Sequence, residues 1–379
     1  MRLLKRLSAG RQNVIIANSE WRSRQRVGRL GLPQELADAA LRDVATARLR
    51  QRGVALSPQL ESVAYVSPMT IWEAHNLPAE LRAKLDVRVV DVSEIEGGLL
   101  SDSGQAELVS RIKHVALARG GVDLIICYLS GAQISPRSLR KIAELSVPMV
   151  AFWWDDRLYF RGIRTESGHW SGAESVAPFF DLNLTNAPES IPKYFSSGAL
   201  AAFWPEAANP QVFRPETSSE EDWDVTFVGA RYGDRGDVIE KIRALGIRAQ
   251  AFGPGWPAGP LPVEGMASVY SRSRLNLGFA AIGRSRRFCC LKGRDFEVPM
   301  AGRAYLTQYH PALERVYRVG EEVLCYRNVA EIPSLVADLV RKDDLLSAVG
   351  DAGRRRALAE HTWTKRLDRL AFLLGLRLT

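Results

Sequence analysis

From Ser62 onward, short apolar and β-branched runs alternate with longer stretches whose apolar positions recur at helical spacing. That alternation predicts parallel βαβ units, because two parallel strands need a crossover connection and a helix supplies it. Strands are expected at Ser62 to Val66, Val87 to Asp91, Asp123 to Cys127, Pro148 to Trp153, Leu182 to Thr185 and Ala201 to Trp204. Helices fit between them at Gly104 to Ala118, Pro136 to Leu145 and Glu189 to Phe195. Around residues 206–222 both periods stop: prolines at 205, 210 and 215 precede the polar run Thr217-Ser218-Ser219-Glu220-Glu221, which reads as an interdomain linker. A second series then opens with a strand at Asp224 to Val228 and a helix at Asp237 to Leu245. It continues through strands near 248–252, 275–279, 304–307 and 322–326 and closes on helices up to Leu374.

Two doubly wound α/β domains in tandem follow from this pattern, with ligands expected in a cleft at the carboxyl ends of the strands. The divisions are a basic helical extension over 1–60, an N-terminal Rossmann-like domain over 61–205 and the linker over 206–222. A C-terminal Rossmann-like domain over 223–345 and last helices over 346–379 complete them. At 379 residues, 46% hydrophobic and 25% charged, the chain has material for two cores, and global disorder is excluded. No apolar run approaches the ~20 residues that cross a bilayer, and no secretory h-region is recognised, so a cytoplasmic location is expected. Cys127, Cys289, Cys290 and Cys325 lack C-x-x-C spacing and read as reduced thiols.

Charge changes the picture at one end. Residues 1–60 carry twelve Lys and Arg against four acids, an excess of eight that equals the net charge of the whole chain. A basic helical arm suits peripheral contact with an anionic membrane or an acidic partner; a plain packing or dimerising helix has the same composition. Aromatic residues interleave too sparsely with the basic runs to read as a nucleic-acid surface.

The most informative segment runs from Phe227 through Gly229, Arg231 and Arg235 to Asp237: a strand end, a glycine-bearing turn and a helix start. Glycine lets backbone N–H groups approach an anion, and the helix N-terminus adds partial positive charge. The same glycine can serve only to turn the chain. A second basic run, Arg284, Arg286, Arg287, Lys292 and Arg294, meets its first acid at Asp295, and Glu297 falls in the first turn of a helix, where it could accept ribose hydroxyls. The loop from Gly253 to Gly259 has the wrong spacing for a nicotinamide fingerprint, and its prolines forbid an immediate helix. In the first domain Trp153-Trp154-Asp155-Asp156-Arg157 sets two carboxylates beside two aromatics, a combination suited to sugars; Asp155 or Asp156 is a candidate general base or acceptor-orienting group. His75 is a further catalytic candidate. The histidines have no metal-type spacing, so neither a metal nor a bound cofactor is expected.

The segments Trp223 to Arg235, Arg274-Leu275-Asn276-Leu277-Gly278-Phe279, Leu291-Lys292-Gly293-Arg294-Asp295-Phe296-Glu297 to Gly302 and Glu360-His361-Thr362-Trp363 resemble, in order, the spore-maturation (CgeB-like) branch of group 1 glycosyltransferases. The likeness covers about Val147 to Leu370. It implies the GT-B fold, with an acceptor-binding N-terminal domain over 61–205, a nucleotide-sugar-binding C-terminal domain over 223–345 and last helices over 346–379 that cross back to the first domain. Relatives in glycosyltransferase family 4 place a diphosphate-binding lysine six residues after a glycine, which corresponds here to Gly229 and Arg235. Their E-x7-E motif ends on a ribose-holding glutamate five residues before a glycine, matching Glu297 and Gly302; its first glutamate corresponds to Cys289, a departure beside the transferred sugar. The resemblance thus implies Gly229, Arg231, Arg235, Lys292, Arg294, Asp295 and Glu297 as the donor site and a metal-independent, retaining transfer to a cell-surface glycan or a protein. A nucleotide-sugar epimerase on the same fold, or a degenerate scaffold docking to a membrane or partner, are the alternatives.

Overall fold

The computed structural model describes residues 7–55, 59–69, 77–95, 98–216, 221–285 and 287–378. The chain divides into two compact units. One comprises residues 1–205, 282–288 and 366–379; the other comprises 206–281 and 289–365.

In unit 1, α1 (Ala9–Arg29) and α2 (Asp38–Gln51) precede the sheet. The sheet holds β2 (Ser62–Ser67), β3 (Asp86–Asp91), β4 (Leu124–Cys127), β5 (Met149–Trp153), β6 (Leu182–Thr185) and β7 (Ala201–Phe203), in the parallel order β3-β2-β4-β5-β6-β7. β4, β5 and β6 are buried at every position, the signature of central parallel strands covered on both faces. Crossovers include α3 (Leu77–Arg82), α4 (Asp102–Leu117), α5 (Pro136–Ala143), α6 (Asp156–Tyr159) and α7 (Ile191–Ser196). α4 and α5 start where Ser101 and Ser135 accept hydrogen bonds from Gly104 N and Ser138 N, with Pro136 preset for the first turn of α5. A short pair, β1 (Gln59–Leu60) with β13 (Arg377–Leu378), joins the chain's last described residues to unit 1.

Unit 2 has the parallel order β12-β11-β10-β8-β9, from β8 (Trp223–Val228), β9 (Ala249–Phe252), β10 (Ser273–Leu277), β11 (Ala304–Gln308) and β12 (Leu324–Tyr326). Its helices include α8 (Arg235–Ala244), α9 (Val263–Ser271), α10 (Arg294–Met300), α11 (Pro311–Glu314), α12 (Ile332–Leu339) and α13 (Asp343–Glu360). α14 (Trp363–Leu374) starts in unit 2 and continues from Arg366 as part of unit 1. There Arg366 donates to Pro205 O, and Trp204 Nε1 donates to Arg366 O. The sheet reverses direction of growth between β8 and β10, and a ligand crevice forms outside the strand ends at such a switch point.

Two expectations change. The proline-bearing stretch after residue 205 is coil, but it is packed rather than solvated: Glu206, Ala207, Ala208 and Phe213 are buried, and Phe213 meets the Tyr270 ring. Its polar run at 217–220 lies outside the described residues. The basic run from Arg284 to Arg294 is split as well. Residues 282–288 belong to unit 1, where Arg284 N donates to Gln12 Oε1 and Ser285 to Asn13 of α1; Lys292 and Arg294 stay in unit 2. Arg286 lies outside the described residues.

Candidate functional site

In unit 2 the strand-to-helix turn after β8 needs glycine at position 229. Its φ is 155°, and a Cβ there would stand 2.8 Å from the Phe227 ring and 2.9 Å from an Arg294 Nη1. The Gly253–Gly259 loop braces this turn: Trp256 Nε1 donates to Gly229 O at 2.7 Å, and Arg231 N donates to Pro254 O. Trp256 is buried, so it shapes the turn instead of offering a face to a base; the exposed Arg231 guanidinium lies over its ring.

Arg235, the first residue of α8, is only 5% exposed. One Nη donates to Ala230 O and the other to Tyr232 Oη, both at 2.8 Å, and the guanidinium sits 3.8 Å from the Tyr232 ring centre and just over 5 Å from those of Phe227 and Phe279. Burial pulls its pKa down to about 10. Arg294 stacks on the same Phe227 ring at 5.2 Å, and its Nε is buried with no hydrogen-bond partner. Neither guanidinium forms an ion pair among the described residues. Two cations therefore share one phenyl ring at the switch point and repel each other, with no carboxylate in contact.

The acids of α10 stand near but differ in role. Asp295 accepts from Lys292 N at 2.7 Å and from Tyr305 Oη at 2.7 Å, so it fixes the loop that starts the helix. Glu297 is buried; Tyr270 Oη donates to it at 3.3 Å, and burial pushes its pKa up to about 7, against the pull of Arg294. A carboxyl poised there can accept hydroxyl hydrogens when ionised. Cys289, at the position of the missing glutamate, is buried.

In unit 1 the paired acids part ways. Asp156 accepts from Tyr194 Oη at 2.6 Å and Ser190 Oγ at 3.2 Å, and burial lifts its pKa to about 6. It stands in a buried ionic cluster: Lys193 donates to Arg157 O, and Arg157 pairs with Glu20 of α1 at 2.7 Å and with Glu189 at 2.9 Å. Asp155 and Asp156 both line a cavity of about 120 Å³ at the ends of β4 and β5, walled by Tyr128, Trp153, Trp154 and Tyr159. Trp154 Nε1 is buried there with no partner. His75 lies outside the described residues. Among the described residues no group of His, Cys, Asp or Glu is arranged to hold a metal ion.

The aromatic cage of Tyr232, Phe227 and Phe279 and the phenols Tyr270 and Tyr305 were not singled out by sequence reasoning. Only Tyr232, inside the glycine turn, carried a local signal; Tyr270 and Tyr305 arrive from helices and strands distant in the chain.

Residues 235–371 match a family described as glycosyl transferase-like. The chain has the GT-B fold. Its fold resembles the sucrose-phosphate synthase of Thermosynechococcus elongatus (12% identity, 83% of this chain and 98% of that one, TM-score 0.56). It also resembles Anabaena HepE, solved with UDP and glucose (10% identity, 83% and 99%, TM-score 0.56). AviGT4, a glycosyltransferase of avilamycin A biosynthesis, is similar too (15% identity, 83% and 97%, TM-score 0.54). No curated protein sequence matches this chain.

Proposed function

We propose that this protein is a glycosyltransferase of the CgeB-like branch that moves a sugar from a nucleoside diphosphate donor to a hydroxyl of a glycan or protein acceptor. The observation that carries the reading is the pair Arg235 and Arg294: buried or half-buried positive charge with no ion pair among the described residues is unfavourable unless an anion completes it. The donor's diphosphate would supply that anion, with Arg231, Lys292 and the start of α8 around it. Glu297 would accept ribose hydroxyls. Anabaena HepE, of the same fold and solved with UDP and glucose and with UDP-glucose, supports the donor class.

In transfer, the bond from the anomeric carbon to the diphosphate oxygen breaks and a bond to the acceptor oxygen forms. Negative charge grows on the leaving diphosphate, where preorganised guanidinium groups stabilise it more than in the ground state. The acceptor's proton passes to a base, and Asp155 is the candidate, beside an aromatic cavity that suits a sugar ring. Asp156 holds that wall in place. Retention at the anomeric carbon and independence of divalent metal follow from the resemblance. Cys289 favours a competing reading, binding without turnover, because the acid of the relatives' motif is replaced.

A thermal-shift screen with UDP-, GDP-, dTDP- and CMP-linked sugars, followed by product analysis with the stabilising donor, tests the proposal. A donor that raises the melting temperature and is consumed with EDTA present supports it. Binding with no acceptor-dependent turnover establishes the scaffold reading, and no binding by any donor rejects both.

A further inference from the structure

We infer that the outer face of α1 is a docking surface for an anionic lipid bilayer. The helix turns Gln12, Ile16, Glu20, Ser23 and Val27 inward, a stripe that repeats every three to four residues and packs on α7. The opposite face is exposed and carries Arg11, Arg22 and Arg29 beside Trp21 and Val14, with Arg24 and Arg26 on its flanks. None of these five arginines forms an ion pair or side-chain hydrogen bond among the described residues. The only acid of the helix, Glu20, is turned inward onto Arg157 at 2.7 Å. The outer face is therefore of one sign over the six turns of the helix.

Charge alone would suit any polyanion. The apolar groups on the same face decide the partner: Trp21 is 61% exposed and Val14 59%, and beyond the helix end Leu30 and Leu32 are 58% and 43% exposed. A nucleic acid or an acidic peptide gives the aliphatic Val14, Leu30 and Leu32 nothing to bury against, whereas a bilayer interface accepts Trp and Leu at the headgroup boundary while its anionic headgroups meet the arginines. No helix among the described residues is long and apolar enough to cross a membrane, so contact of this kind is at the surface. The face does not involve the donor site, and the inference stands or falls apart from the proposed activity.

The test is co-sedimentation of the full chain with vesicles of phosphatidylcholine alone and of phosphatidylcholine with one-third phosphatidylglycerol, at low and high salt. Binding is expected only to the anionic vesicles and is expected to weaken with salt. Reversing Arg11, Arg22 and Arg29 to Glu should lower the vesicle affinity by roughly a hundredfold or more. Trp21→Ser should lower it several-fold while leaving affinity for soluble polyglutamate unchanged. These side chains are exposed, so all variants should keep the wild-type melting temperature and donor-induced shift. Equal binding to both vesicle types, no binding to either, or a Trp21→Ser variant that binds anionic vesicles like the wild type would overturn the inference; the last would mark the face as one for acidic macromolecules.

Discussion

Two buried charge clusters in this protein follow opposite rules. In unit 1, Arg157 is held between Glu20 and Glu189, Lys193 donates to a backbone carbonyl, and Asp156 accepts from two hydroxyls. Burial lifts Asp156 to about 6 and lowers Lys193 to about 8, and the acids and bases of the cluster answer one another within it. In unit 2, Arg235 and Arg294 face aromatic rings and each other, with no ion pair to an acid among the described residues. A cluster whose charges are all answered from within fixes the fold and gains nothing from a ligand. One left with excess charge is less stable empty than filled, and that difference is available for binding.

Removing one partner from the closed cluster should have the largest effect. Arg157→Ala removes the cation paired with Glu20 and Glu189 and should destabilise the protein by about 3 to 5 kcal/mol in urea unfolding. Nucleotide affinity of the folded fraction should be unchanged. In the open cluster the pattern inverts. Arg294→Ala should weaken binding of the nucleoside diphosphate by about 1.5 to 3 kcal/mol in calorimetric titration, with little loss of stability in the empty protein.

The pH dependence sharpens the contrast. Burial raises Glu297 from 4.5 to about 7, so its contribution to stability is fully present below pH 4.5 and is lost as pH rises through 7. The wild type should therefore lose up to about 3 kcal/mol relative to Glu297→Gln between those values in a series of melts. A flat difference would mean that Glu297 is not desolvated. The smallest effect belongs to Arg231, which is exposed beside Trp256: Arg231→Ala should cost under about 1 kcal/mol of donor affinity, and less at high salt.

Much of the architecture was legible because parallel strands announce themselves as short apolar runs between helical periods; β2 to β12 each overlap an expected strand. The candidate donor residues were legible where they are close in sequence, as Gly229 to Arg235 and Lys292 to Glu297 are. What joins them was not. The rings of Phe227 and Phe279 look like ordinary core positions in strands and strand ends, and only the fold sets them under Arg235. The sequence likewise groups Asp155 with Asp156, whereas Ser190 and Tyr194 draw Asp156 into the buried cluster. The arm's composition showed its charge, but which face carries it depends on Gln12, Ile16 and Glu20 turning inward.

The most direct test is thermal unfolding of the wild type and Arg235→Met, each with and without saturating UDP or whichever nucleoside diphosphate stabilises the wild type. An Arg235 awaiting an anion predicts that the empty variant melts at or above the wild-type temperature and that the nucleotide-induced rise is largely lost. A variant that melts well below the wild type when empty, yet gains the full rise with nucleotide, would contradict the account.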